Sequence, residues 1–180
     1  MRIVITGGSG VGKSEVVAEL SRRGYIIIGE TARFILERIK KPMQDFSEEE
    51  KTKLQQQILD LQDERESYFD NSKETIFQDR SQIDAYVFSK FFGIDKLIKF
   101  DFEKFSKRYY GFVFILEPLK NFVNDSIRWE TENERNQIHS SCIETYNALG
   151  YTTVFVPPLS ISERANYIIS QLELLKPKDI

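Results

Sequence analysis

The chain has 180 residues, a formal net charge of −3 and 41% hydrophobic residues, enough for one compact domain with a sizeable core. The slight acidity gives no reason to expect nucleic acid as a partner, which needs a basic field, so phosphate would have to be held by locally placed groups. Cys142 is the only cysteine and no apolar run approaches the ~20 residues that span a bilayer, which excludes an internal disulfide, a cysteine metal centre and a helical membrane span.

Arg2-Ile3-Val4-Ile5-Thr6 is a short β-rich run. Its start at residue 2 leaves no room ahead of it for a leader peptide, so a cytoplasmic protein is expected. Gly7 to Ser14 follow with the spacing G-x-x-x-x-G-K-S and no departure from it. In such a loop Gly8, Ser9, Gly10, Val11 and Gly12 wrap backbone N–H groups around phosphate, and the helix behind aims its positive end at the same charge. Lys13 would reach the β- and γ-phosphates, and the Ser14 hydroxyl would hold Mg²⁺. Val16, Val17 and Leu20 fall at helical spacing, and Arg22-Arg23-Gly24 supplies cations for the last turn and a glycine stop. Strand, glycine loop and helix come in the required order. The expected ligand is a nucleoside triphosphate with Mg²⁺: ATP, with GTP left open.

A rhythm of helix, glycine and strand then recurs. Gly24 precedes Tyr25–Ile28, Gly111 precedes Phe112–Leu116, and Gly150 precedes Tyr151–Val156. With Arg2–Thr6 and Thr75-Ile76-Phe77 these make five short, largely apolar strands, which predicts a doubly wound α/β parallel sheet with helices on both faces and ligands at the strands' carboxyl ends. Ser47 and Glu50 make a capping box for a long helix with Leu54, Ile58, Leu61, Arg65 and Tyr68 on one face. Ser160 and Glu163 make another, opening a last helix with Ala165, Ile168, Ile169 and Leu172 inward. Between them, Leu97, Ile98, Phe100, Phe102, Phe105, Tyr109 and Tyr110 are aromatic-rich and read as core packing, with one wall of a flat acceptor pocket as the sharper reading.

Polar residues at the strand ends are the next candidates. Glu30 would act as general base on an acceptor hydroxyl, or merely favour a first helical turn, and Arg33 would clamp a polar acceptor. Asp79 closes a β-run where a carboxylate can join Ser14 at Mg²⁺, and Arg80 would stabilise charge on the transferring phosphoryl. The alternative for this pair, which Ser81 and Asp84 follow, is a helix N-terminal Asp beside a surface arginine. Glu117 is the rival metal carboxylate. A charge-dense segment, about 119–135, is the expected lid, with Arg128 and Arg135 as its phosphate ligands; a solvated loop is the plain alternative. His139, the single histidine, lies on the following helix and is expected to be structural or surface. Val156-Pro157-Pro158-Leu159 is either a loop against the nucleotide base or a rigid turn.

On Gly7–Ser14, Glu30-Thr31-Ala32-Arg33, Asp79-Arg80 and Val156-Pro157 with Ser162-Glu163-Arg164-Ala165, the chain resembles a family of small single-domain P-loop proteins of AAA ATPase/kinase type. That family is similar to the ribosylnicotinamide kinases and the thymidylate and nucleoside kinases. The resemblance covers nearly the whole chain and implies one P-loop nucleotide-binding domain over residues 1–180. It also implies a three-layer P-loop NTPase sandwich whose five-stranded parallel sheet has the order 2-3-1-4-5. By it, Asp79-Arg80 match the kinases' acidic-Arg pair near Mg²⁺ and acceptor, and Glu30 the acidic residue that nucleoside kinases use after their second strand.

The expected activity is a kinase moving the γ-phosphoryl group of Mg·ATP to a small nucleoside- or nucleotide-like acceptor, bound by Glu30, Arg33, Asp79 and Arg80. The alternative is a P-loop ATPase or nucleotide-dependent switch with a macromolecular or lipid partner. A conventional GTPase is disfavoured, since neither Asn-Lys-x-Asp nor Asp-x-x-Gly occurs in the chain.

Overall fold

Five apolar runs become five parallel strands in a computed structural model that describes residues 1–39, 41, 43–107, 109–119 and 130–175. The strands are β1 (Arg2–Thr6), β2 (Ile26–Ile28), β3 (Ile76–Asp79), β4 (Phe112–Leu116) and β5 (Thr153–Val156). Around them stand α1 (Lys13–Arg22), α2 (Thr31–Leu36), α3 (Glu48–Ser67), α4 (Gln82–Phe91), α5 (Phe102–Ser106), α6 (Glu132–Ala148) and α7 (Ile161–Leu175). The sheet order is β2-β3-β1-β4-β5, with every pairing parallel. This is the P-loop NTPase architecture.

Central β1 shows why the sheet is covered on both faces. Ile3 and Ile5 turn to one side and pack with Val16 and Leu20 of α1 and Ile168 and Leu172 of α7. Val4 turns to the other and joins Ile83, Phe105, Tyr110 and Tyr146. A third cluster, Met43, Phe46, Leu54, Ile58, Leu59, Ala85 and Ile98, joins α3 and α4 beyond the sheet. Parallel strands bring Thr6, Ile28, Asp79 and Leu116 to one end, which places the site.

β3 ends at Asp79, as expected of a carboxylate that closes a strand, with Val4 paired with Gln78 and Ile5 with Asp79 across the ladder. One local expectation needs correction. The inward face of α3 is Leu54, Gln55, Ile58, Leu59, Gln62 and Glu66, while Tyr68 is 79% exposed and Leu61 and Arg65 are only partly buried. Its capping box is present, but Gln62 and Glu66 displace the predicted stripe. They belong to a buried polar network in which Glu66 accepts from Gln62 (2.8 Å), Gln78 (3.1 Å), Gln82 (3.1 Å) and Tyr110 (3.0 Å). The aromatic stretch packs as core in its main part, where Phe105 stacks on Phe100 at 5.0 Å and on Tyr110 at 5.8 Å, while Leu97 and Phe102 are exposed. It forms no wall of the cavity beside the phosphate loop. Among the described residues no helix is long and apolar enough to cross a membrane.

Candidate active site

The phosphate loop leaves β1 through Gly7, whose φ of 130° and whose hypothetical Cβ, 2.8 Å from the Leu116 carbonyl oxygen, admit no side chain. α1 then begins at Lys13 with Gly12 as its N-cap and no side-chain cap, so its positive end is not occupied by one of the chain's own side chains. The Lys13 ammonium is buried and donates to the Gly8 carbonyl at 2.7 Å and the Gly7 carbonyl at 3.3 Å. Burial, with the Arg80 charge nearby, lowers its pKa to about 8. An anion brought to this ammonium would favour its charged form further.

Ser14 donates its hydroxyl proton to Asp79 Oδ2 at 2.8 Å, joining the first turn of α1 to the end of β3. Asp79 is buried, and its Oδ1 has no hydrogen-bond partner. Burial and the Glu30 charge push its pKa up to about 6. A buried carboxylate oxygen without a donor, beside a hydroxyl, is what a hard cation needs, so Ser14 and Asp79 fit Mg²⁺. Among the described residues no cluster of three or more His, Cys, Asp or Glu could hold a metal. Glu117, the rival carboxylate, does not line the cavity that Ser14 lines, and its backbone fastens the ends of β4 and β5: its N–H donates to Val156 O at 3.0 Å and its carbonyl accepts from Arg164 at 2.8 Å.

Arg80 is not a surface arginine. It is 7% exposed, and its Nε donates to Glu30 Oε1 at 3.0 Å. Its Nη1 lies 3.2 Å from Gly7 O and 3.3 Å from Asp84 Oδ1. Its φ is 68°, the left-handed region, the one non-glycine residue so placed among those described. Burial opposes its charge, but Glu30 and Asp84 outweigh it and hold the guanidinium above its ordinary pKa. In return, burial of Glu30 is overcome by Arg80 and Lys13, which keep its carboxyl below the usual range. Arg33 completes the group, its Nε 4.0 Å from Glu30 Oε2.

One cavity is lined by Ser9, Lys13, Ser14, Glu30, Arg33 and Arg80 together with the apolar Met43, Ile58, Phe88 and Phe92; Asp79 is not in its wall but reaches it through Ser14. Four residues in or near its wall were given no role from the sequence. Gln55, 3% exposed, lines it with an amide oxygen that has no partner. Gln62 does so too, but its amide is committed to Thr31 and Glu66. Asp84, fully buried, receives Thr6, Tyr146 (2.6 Å) and the Ser81 amide (3.0 Å) as well as Arg80. The only sequence signal was the Ser81–Asp84 capping box that opens α4. Arg164, 1% exposed, ties three carbonyls, those of Val11, Pro157 and Glu117, and so braces the phosphate loop against the ends of β4 and β5.

On the far side of the loop, Arg135 lines a second crevice with Gly8, Pro118, Asn136 and His139. It is a helical residue of α6, which starts at Glu132, and does not belong to a loop. Arg128 and residues 120–129 of the expected lid lie outside the described residues. At the lid's other end Glu130 accepts from the Ser9 hydroxyl at 2.7 Å.

The AAA-domain family model matches residues 2–164. No curated protein matches the sequence. Among solved structures, the chain is similar to deoxyadenosine kinase from M. mycoides, at 18% identity and TM-score 0.63, covering 97% of this chain and 100% of that one. It is similar to NadR protein in complex with NR, at 17% identity and TM-score 0.75, over 99% of this chain but 53% of NadR, so it spans about half that protein. Shikimate kinase from Aquifex aeolicus aligns at 17% identity and TM-score 0.53, over 96% of both chains.

Proposed function

We propose that the chain, which belongs to the AAA-domain family, is a kinase that transfers the γ-phosphoryl group of Mg·ATP to a hydroxyl of a small nucleoside-like acceptor. One observation carries this reading: a single cavity is lined by Lys13 and Ser14 of the phosphate loop and by the Arg80–Glu30 pair, with Asp79 bonded to Ser14 behind its wall. Lys13 and the loop amides hold the triphosphate, and Lys13 follows the charge that moves onto the leaving oxygen. Ser14 and Asp79 would hold Mg²⁺, which supplies charge neutralisation at the phosphates when bound. Glu30 accepts a hydrogen bond from the acceptor hydroxyl and takes its proton as the new P–O bond forms and the bond to the leaving diphosphate breaks. Its lowered pKa makes it a weak base, which suffices where the transition state is loose and positioning does most of the work. Arg80, fixed by two carboxylates, sets Glu30 in place and brings positive charge to the transferring group.

The acceptor end favours a nucleoside over a nucleotide. Next to the phosphate loop, Arg33 and Arg80 are balanced by Glu30 and Asp84, so the described residues offer no surplus positive charge for a second phosphate. Beside them Phe88, over whose ring the Arg80 guanidinium lies at 5.0 Å, and Phe92 give the cavity an aromatic wall that suits a flat ring, and the Gln55 oxygen suits an N–H on its edge. Incubation with Mg·ATP or Mg·GTP and a panel of nucleosides, nucleoside monophosphates and shikimate, read by mass, tests this. A product 80 Da heavier than a nucleoside (about the mass of one added phosphoryl) is expected. Nucleotide hydrolysis with no acceptor-dependent product would replace the kinase by an ATPase or a switch.

A further inference from the structure

The crevice behind the phosphate loop contains a contact that the transfer chemistry does not use. The Gly8 amide, expected among the groups that wrap phosphate, instead donates to His139 Nδ1 at 3.0 Å. Loop and helix are pressed together there: a Cβ on Gly8 would stand 3.1 Å from the Arg135 carbonyl oxygen and 3.3 Å from His139 Cβ, and one on Gly7 would stand 3.5 Å from Nδ1. Because Nδ1 accepts, the ring is neutral and carries its proton on Nε2; a proton on Nδ1 would set donor against donor.

We propose that His139 is a positioning residue of the phosphate loop, fastening Gly8 while its imidazole is neutral and releasing it on acidification. This rests on the loop being the nucleotide site. The groups that face the ring come from three elements. Lys13 of α1 repels a proton and Glu117 after β4 attracts one, while Glu132 and Arg135 of α6 line the same crevice with opposite charges. Burial leads, with Lys13 behind it, and together they hold the imidazole below its ordinary value of 6.5. Between the folded midpoint and 6.5 the unfolded chain binds more protons than the folded one, so His139 makes stability fall as pH falls through that window.

His139 is the only histidine, so NMR of the untagged chain reads its ring nitrogens without ambiguity. The expected result is the Nε2–H tautomer with a midpoint below 6.5; an Nδ1–H tautomer, or a midpoint at or above 6.5, overturns the proposal. Two variants separate position from packing. His139→Asn offers an amide oxygen where Nδ1 stood and cannot titrate, whereas His139→Ala offers nothing. At about pH 8, His139→Ala should bind Mg·ATP roughly fivefold more weakly, with His139→Asn close to the unmodified chain, the effect of one net hydrogen bond. Equal affinities for all three, or an Asn variant as weak as the Ala variant, count against it. Thermal melts should show an acid-side loss of stability in the unmodified chain that His139→Asn lacks, and its persistence in that variant would also overturn it. Should the unmodified chain bind no nucleotide at all, the kinase reading fails, and tautomer and melts still decide the loop contact.

Discussion

Replacing Arg80 tests whether its buried charge network organises the site. Arg80→Ala leaves Glu30, with a side chain 20% exposed, and Asp84, 1% exposed, without their shared guanidinium. Breaking a buried pair by removing one partner costs about 3–5 kcal/mol, and the low end applies because Asp84 keeps Thr6, Ser81 and Tyr146 as donors. At about 3 °C per kcal/mol for a domain of this size, the melting temperature should fall by about 9 °C. Adding Glu30→Gln removes the orphaned carboxylate and should return about half of that loss, so the double variant is more stable than the single one. Arg80→Gly should also melt higher than Arg80→Ala, since glycine relieves the left-handed backbone by about 1 kcal/mol. The assay is a thermal melt of the four proteins without nucleotide. If Arg80→Ala/Glu30→Gln is no more stable than Arg80→Ala, the carboxylates are not what Arg80 neutralises, and its role as the organiser of Glu30 is wrong.

Other residues give separable effects. Mg·ATP should raise the melting temperature of the unmodified chain, and Lys13→Ala should abolish most of that shift because the buried ammonium has no substitute; calorimetry showing unchanged affinity would remove Lys13 from the phosphate site. Asp79→Asn should keep nucleotide binding without metal but lose the gain in affinity that Mg²⁺ brings, measured by titration with and without the ion; an undiminished gain would detach Asp79 from the metal. Gln55→Leu should raise the KM for a nucleoside at least tenfold (about 1.4 kcal/mol for one hydrogen bond to a buried amide) with the KM for ATP unmoved. The same change should leave the fold equally or more stable, since it removes a buried oxygen with no partner; lower stability would mean that the amide is already satisfied.

The phosphate loop was legible because everything that makes it work is contiguous. A strand, an eight-residue spacing and a helix write its geometry into one local stretch, and the structure keeps all three in place. The sheet was legible for a related reason: strands buried on both faces must be nearly all apolar, and glycine stops punctuate them. At the acceptor end Glu30, Arg33 and Arg80 could be singled out as polar residues after strands, but Gln55 and Phe88 could not, because they come from helices that meet those strand ends only in the folded chain. Burial of polar groups misled most. Gln62 and Glu66 look like the solvent face of an amphipathic helix, yet they turn inward because Gln78, Gln82 and Tyr110 satisfy them there. Hydrophobic period records where a helix must be apolar; it does not record which polar residues have found partners.

Arg80 shows how the local and the distant requirements meet in one residue. Asp79 must stay extended, since it pairs with Ile5 in the sheet and from there reaches Ser14. Ser81 must be extended as well, with φ −143°, since it caps α4. The chain has a single residue in which to turn from strand to cap, and that residue takes φ 68°. Glycine would do this at no steric cost, whereas a side chain costs about 1–2 kcal/mol. An arginine there is opposed by its own backbone. What holds it is the bond to Glu30 and the approach to Asp84 and to the Gly7 carbonyl, which the left-handed turn brings within reach. The strain and the charge network are therefore one device: the turn aims the guanidinium beneath the phosphate loop, and the carboxylates keep it there before any substrate arrives.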